Sequence, residues 1–253
     1  PRSTLFPYTT LFQSGSCGLE RGAEGRAACP RGSRDEALER LSVLRSSGPG
    51  AIVGTDEAGR GPLAGPVVAA AVSLTPVQEE ALLSLGLRDS KKLTARGRER
   101  LWDAMAELGV AWRAQAAGAA RIDRDNISRA SLWAMGRSVL RLRPLLAREP
   151  ECVVVDGILA IPDLPFPQWP LVAADDIVPA VSAASVVAKV LRDRAMTALD
   201  RLWPDYGFAR HKGYPTAMHR EAVARHGLSP VHRESFCRNI PREEYGRGED
   251  KER

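Results

Sequence analysis

The chain has 253 residues, 44% hydrophobic and 26% charged, the composition of an ordinary folded protein. No stretch approaches the roughly 18 uninterrupted apolar residues of a membrane span, so neither an integral membrane protein nor a membrane partner is expected. With 36 basic against 31 acidic residues, the net charge of +5 permits a polyanionic partner without demanding one.

Residues 1–34 show no helical or strand periodicity and none of the tripartite pattern of a signal peptide, and are expected to be a disordered or non-native leader. A short helix is expected over residues 35–45, with Leu38, Leu41 and Leu44 on one side. Residues 51–55 and 66–74 read as buried strands joined by a glycine-dense turn. Thr94 caps a predicted helix reaching residue 108, with Leu101, Met105 and Leu108 on one face. A third strand is predicted over 110–116, and one long helix over 125–147. Residues 152–155 form an apolar β run, 161–170 a proline-rich loop, and 171–173 a short strand. Helices are expected over about 178–203 and 216–226, and residues 241–253 read as a disordered tail. Strands interleaved with helices give an α/β domain over 35–240, helical in its last part from about 203. Cys17, Cys29, Cys152 and Cys237 are too scattered for a metal knuckle or a disulfide framework, which points to a reducing, cytoplasmic compartment.

Four acids stand where predicted strands end: Asp56 and Glu57 after the first, Asp156 after the apolar run at 152–155, and Asp175 past the strand at 171–173. One such carboxylate is usually a turn residue or a cap. As a group they are expected to converge in the crevice beyond the strand ends, where open α/β sheets bind ligands. Converging carboxylates repel unless cations neutralise them, and hard oxygen ligands suit Mg²⁺ or Mn²⁺. Two such ions about 4 Å apart serve phosphodiester hydrolysis. Neighbouring strand residues point to opposite faces, so Asp56 and Glu57 share a site only if regular β geometry stops there or one of them contributes its backbone carbonyl.

The run Gly59-Arg60-Gly61-Pro62-Leu63-Ala64-Gly65 is either a plain tight turn or a place where backbone approaches a ligand closely. Asp89-Ser90-Lys91-Lys92 holds two of the chain's five lysines and reads as a phosphate clasp or a solvated helix start. Tyr206 to Tyr214 interleaves aromatic and basic residues, a pattern that suits nucleic-acid stacking as well as a core. His211, His219, His226 and His232 lack the spacing of a zinc site.

The string from Gly54 to Val72 closely resembles the signature of bacterial ribonuclease HII. That family's later motifs follow in order: Asp89-Ser90-Lys91-Lys92-Leu93, Val155-Asp156-Gly157, Ser182-Ala183-Ala184-Ser185 leading to Lys189 and Asp193, His211-Lys212-Gly213-Tyr214, and His232-Arg233-Glu234-Ser235-Phe236. The resemblance covers roughly residues 52–236. It implies a ribonuclease-H-like mixed five-stranded sheet flanked by helices, with a helical C-terminal extension. It implies an endonuclease that hydrolyses the RNA strand of RNA–DNA hybrids and cuts 5′ of ribonucleotides embedded in duplex DNA, leaving 5′-phosphate and 3′-hydroxyl ends. Asp56, Glu57, Asp156 and Asp175 match the catalytic, metal-binding acids for one or two Mg²⁺ or Mn²⁺ ions. Gly59, Arg60 and Gly61 match the motif that senses the 2′-hydroxyl, and Tyr214 the tyrosine that stacks on the adjoining deoxyribose. Ser90, Lys91, Lys189 and Lys212 complete the expected substrate contacts. Lys189 and Asp193 also read as an intrahelical ion pair.

One departure touches the site. Relatives often carry Lys-Gly-Asp or Lys-Ala-Asp before the fourth acid, whereas here the run is Ala173-Ala174-Asp175-Asp176, so Asp176 is a competitor for Asp175. A catalytically silent hybrid-binding module on the same fold is the alternative, which the presence of all four acids disfavours. The sister type, ribonuclease HIII, is disfavoured by the Gly59-Arg60-Gly61 turn. A monomer is expected, and a sliding-clamp contact is left open.

Overall fold

The computed structural model describes Glu39, Val43 and residues 52–240. The leader, most of the expected helix over 35–45 and the tail from 241 lie outside the described residues. Five strands, β1 (Ile52–Ala58), β2 (Val67–Ser73), β3 (Ala111–Ala117), β4 (Cys152–Asp156) and β5 (Gln168–Leu171), form one sheet in the order β3-β2-β1-β4-β5. β2 runs antiparallel to both β1 and β3, while β1, β4 and β5 are parallel. This is the mixed five-stranded sheet that the family resemblance implies.

The helices are α1 (Pro76–Ser84), α2 (Ala95–Glu107), α3 (Ala119–Asp125), α4 (Ile127–Leu142), α5 (Pro179–Leu202), α6 (Phe208–His211) and α7 (Ala217–His226). Strand periodicity of two divides the core. Ala70 and Val72 of β2 pack with Ala183, Val186 and Val187 of α5, whereas Ala69 and Ala71 pack with Ala134, Met135 and Val139 of α4. A strand covered on both faces loses its polar side, which is why β2 reads as an unbroken apolar run. Small residues let the helices approach closely. A Cβ on Gly54 would lie 2.3 Å from the backbone of Ala180 and Val181, so α5 rests directly on β1. The C-terminal part forms its own cluster, with Leu63, Ala64, Met196, Tyr206, Phe208 and Val223 buried together. No helix among the described residues is long and apolar enough to cross a membrane.

Four expectations are corrected. β1 continues through Asp56 and Glu57 instead of ending before them, because both pair with β2, opposite Ala70 and Ala69. The long helix predicted over 125–147 is broken at Asn126 (φ 66°), whose side chain caps α4 by accepting from the Arg129 N–H. Asn tolerates this left-handed geometry better than most residues. At the far end Pro144 shortens the helix to a 3₁₀ turn, Arg143–Leu145. The fourth correction concerns the proline-rich loop, which contains β5: Pro170 sits in an edge strand, the position where a missing N–H costs least. Helix α1 escaped the sequence reading, although Thr75 and Gln78 form a complete capping box around Pro76.

Candidate active site

Gly54 and Asp56 share the face of β1 that meets α5, and Val154 and Asp156 share the corresponding face of β4. The parallel register pairs Thr55 with Val155, so Asp56 and Asp156 fall side by side one residue further on. Asp175 arrives from the 3₁₀ turn Ala174–Asp176 that follows β5. One carboxylate oxygen from each of Asp56, Asp156 and Asp175 lies within 4.8 Å of the other two, the one such group among the described residues.

The backbone orients each acid. The Glu57 N–H donates to Asp56 Oδ1 at 2.7 Å, and the Ala174 N–H to Asp156 Oδ1 at 2.9 Å. Ser185 of α5 also hydrogen-bonds Asp56. Burial pushes the Asp56 carboxyl well above its ordinary range, and the charges of Glu57 and Asp156 add to the rise. Asp156 and Asp175 are likewise raised, each first by burial; for Asp175 the Asp156 charge follows. Three desolvated, mutually repelling carboxylates form a set that a cation stabilises and that water alone does not.

Glu57 stands apart from these three. β1 remains regular through Ala58, so Glu57 points to the other face, where Arg60 meets it at 3.0 Å and bridges on to Ser128 of α4 at 3.1 Å. Its carboxyl is raised by burial, against the lowering effect of Arg60. Asp176 is held by Lys92 at 2.5 Å and leaves Asp175 unchallenged. Lys91 reaches Asp175 at 3.4 Å. Burial alone would lower its pKa, but Asp175, Asp89 and Asp56 outweigh that and raise it.

The remaining expected contacts divide. The Ser90 hydroxyl is buried against Ser185 Oγ at 2.8 Å, so it braces the 3₁₀ turn Ser90–Lys92 on α5 and is not presented to a phosphate. Lys189 pairs with Asp193 at 2.6 Å, the intrahelical ion pair expected. Lys212 donates to the Thr197 hydroxyl at 2.9 Å. Gly59 and Gly61 flank exposed Arg60 in the turn after β1. Gly59 has φ 100° and would place a Cβ 1.9 Å from Arg192 Nε, so it tolerates no side chain on either count. Tyr214 is 43% exposed, its ring 5.7 Å from the buried Arg192 guanidinium.

Sequence reading missed the two arginines beneath this turn. Arg192 donates to Pro66 O and Lys212 O, while Arg233 donates to Gly59 O, Arg60 O and Gly65 O. Both are fully buried with carbonyls in place of a carboxylate partner, and burial, then Arg192, holds Arg233 down to about 9. Reading also missed the meeting of His219 and His232, buried and 3.0 Å apart through their Nε2 atoms. Burial lowers each to about 4. Since the unfolded rings titrate near 6.5, the pair's contribution to stability is complete above that value and is lost as pH falls toward 4. The raised acids act in the opposite sense, so the check is a comparison of Tm with His232→Gln, which keeps the same acids. The wild-type advantage is expected to shrink between pH 7 and 4.5; a constant gap would contradict it.

A family model described as ribonuclease HII matches residues 53–239. The ribonuclease HII of Marinomonas sp. (strain MWYL1) is 49% identical over 185 residues, 73% of this chain and 89% of that protein. That of Coxiella burnetii (strain Dugway 5J108-111) is 48% identical over 185 residues, 73% and 87% of the respective chains. Among solved structures, the PCNA:RNase HII complex from Archaeoglobus fulgidus superimposes with a TM-score of 0.62 at 27% identity, over 74% of this chain and 94% of that one. Sequence, sheet order and the placing of the acids therefore agree, and the chain belongs to the ribonuclease HII family, an enzyme of the type 2 ribonucleases H.

Proposed function

We propose that the protein is a divalent-metal-dependent endoribonuclease that hydrolyses the RNA strand of RNA–DNA hybrids and cuts 5′ of ribonucleotides embedded in duplex DNA, leaving 5′-phosphate and 3′-hydroxyl ends. The observation that carries the reading is the convergence of Asp56, Asp156 and Asp175 within 4.8 Å in a chain of this family. The donor set fits hard cations, so these three acids would hold Mg²⁺ or Mn²⁺, with Glu57 at the margin. When bound, such ions supply charge neutralisation and water activation for phosphodiester hydrolysis.

The chain's own residues do the rest. The Glu57 and Ala174 N–H groups and Ser185 fix the carboxylates, so little reorganisation is needed when substrate arrives. Lys91 places a positive charge beside Asp175, where a scissile phosphate would be approached. The turn at Gly59-Arg60-Gly61 lets backbone groups come close to a sugar. The 2′-hydroxyl is both donor and acceptor, and it is what separates RNA from DNA at such a site. The exposed face of Tyr214 offers a stacking surface to the next sugar.

A silent hybrid-binding module would retain buried, repelling carboxylates that cost stability and serve nothing, which weighs against that reading. The test is cleavage of duplex DNA carrying one ribonucleotide, with Mg²⁺ and with EDTA. Cutting with Mg²⁺ and none with EDTA is expected; binding without metal-dependent cutting would overturn the enzyme reading. A monomer acting alone, and contact with a sliding clamp like that of the archaeal relative solved with PCNA, belong to the same proposal.

A further inference from the structure

The glycine turn after β1 and the segment around Tyr214 come from different parts of the chain and meet directly where the Leu63 N–H donates to Gly213 O at 2.8 Å; two buried rings make a second connection. The backbone of His232 bridges Ala64 of the turn, flanked by Gly65 N–H to Val231 O at 2.9 Å and Arg233 N–H to Leu63 O at 2.8 Å. Its ring meets His219, whose Nδ1 lies 2.9 Å from the carbonyl oxygen of Tyr214.

The direction of this chain of hydrogen bonds is fixed from both ends. The Tyr214 carbonyl only accepts, so His219 Nδ1 carries a proton. The Ser229 N–H only donates, at 3.0 Å to His232 Nδ1, so that nitrogen is bare and also takes the Ser229 hydroxyl at 2.8 Å. Two neutral rings satisfy these ends in one way, with His232 Nε2–H donating to the lone pair of His219 Nε2. A third proton would set N–H against N–H at one of these contacts. That exclusion agrees with the depressed basicity of both rings. Every ring nitrogen of the pair is thus used, and none is left to bind a metal or move a proton for catalysis.

We propose that His219 and His232 form a positioning relay that ties the glycine turn to the backbone of Tyr214, so that the two elements facing a ribo-to-deoxyribo step are held as one reader. Helix α7 supports the arrangement locally. Thr216, its N-cap, donates its N–H to the same Tyr214 carbonyl at 2.8 Å, and its hydroxyl accepts from the N–H of His219, the third residue of the helix, at 3.3 Å. His211 stacks on the ring of His219 at 4.4 Å between ring centres, which restricts its rotation.

The inference rests on the proposed reading of Tyr214 as the deoxyribose contact, and the test separates the two. The quantity measured is the ratio of kcat/KM on duplex DNA with one embedded ribonucleotide to kcat/KM on a continuous RNA–DNA hybrid. General loosening lowers both rates and leaves the ratio alone; loss of positioning lowers the ratio. His219→Phe and His232→Leu are each expected to lower it about tenfold, the usual scale for one lost buried hydrogen-bond partner. The double variant is expected to fall no further than the worse single one, since one link is broken either way. His232→Gln keeps an N–H toward His219 and should stay within about threefold of wild type. His219→Asn keeps the donor to Tyr214 but is too short to reach His232, and should lose most of the ratio even if the apolar variants do not fold. Additive losses, or an unchanged ratio in His219→Asn, would overturn the relay. Tyr214→Ala is the control: an unchanged ratio there would remove the junction reading of Tyr214 and the relay with it, whereas a fall confined to Tyr214→Ala would remove the relay alone.

Discussion

Asp156→Asn is expected to reduce metal-dependent cleavage by about a thousandfold or more while leaving hybrid affinity within about threefold. The amide oxygen still accepts the Ala174 N–H, so the local fold is kept, while one of the three converging negative charges is lost. The substitution also has a sign on stability. The Asp156 carboxyl is raised by burial, so its folded pKa lies above the unfolded one, and its ionisation costs stability once pH rises through that folded value. Asn removes the cost, and the metal-free variant should melt higher than metal-free wild type at pH 7. Added Mg²⁺ or Mn²⁺ should raise the Tm of wild type and much less that of the variant. Thermal melts with and without metal, alongside single-turnover cleavage, test all of this. Cutting within about tenfold of wild type would remove Asp156 from the metal site.

Gly54→Ala is expected to be among the most damaging single-methyl changes for the fold. The new Cβ would meet the Ala180 carbonyl carbon and the Val181 nitrogen at 2.3 Å, and backbone atoms cannot swing aside as a side chain can. Either α5 lifts off β1 or the strand is displaced, a cost of about 3 kcal/mol or more. For a domain of this size that is a fall in Tm of roughly 6–12 °C. Gly61→Ala is the matched control, since a Cβ there meets nothing within 4 Å, and it should change stability by less than about 0.5 kcal/mol. A shift below about 2 °C in Gly54→Ala, read by circular dichroism, would mean that helix and strand are less tightly seated than their coordinates imply.

What the sequence disclosed follows from how local each cause is. β2 and α5 were legible because long apolar runs act within a few residues. Asp56, Asp156 and Asp175 were legible as a group because each follows a run that must be buried, and a sheet brings such strand ends together. The opposite facing of Asp56 and Glu57 was legible only as a condition. It turned on whether β1 stays regular, and the pairing of Asp56 and Glu57 with Ala70 and Ala69 of β2 decides that. β5 was misjudged because Pro170 argues against a strand unless the strand is known to lie at an edge. The His219–His232 pair left no trace in spacing, since His232 reaches the site through a loop and a single bridge to Ala64. Arg192 and Arg233 look like surface charge in a chain so rich in arginine; only carbonyls converging from the turn turn them inward.

Helix α5 begins beside Asp175, passes Asp56 at Ser185 and meets the segment that carries Tyr214 through Arg192 and Thr197, which bond Lys212. At 1.5 Å per residue its 24 residues form a strut about 36 Å long. Adding or deleting one residue near its middle would rotate everything beyond by about 100°, swinging Arg192 out from under the glycine turn. Indels should therefore be purged from this segment even where point changes are accepted, making its length a heritable ruler between the cutting centre and the sugar-reading end.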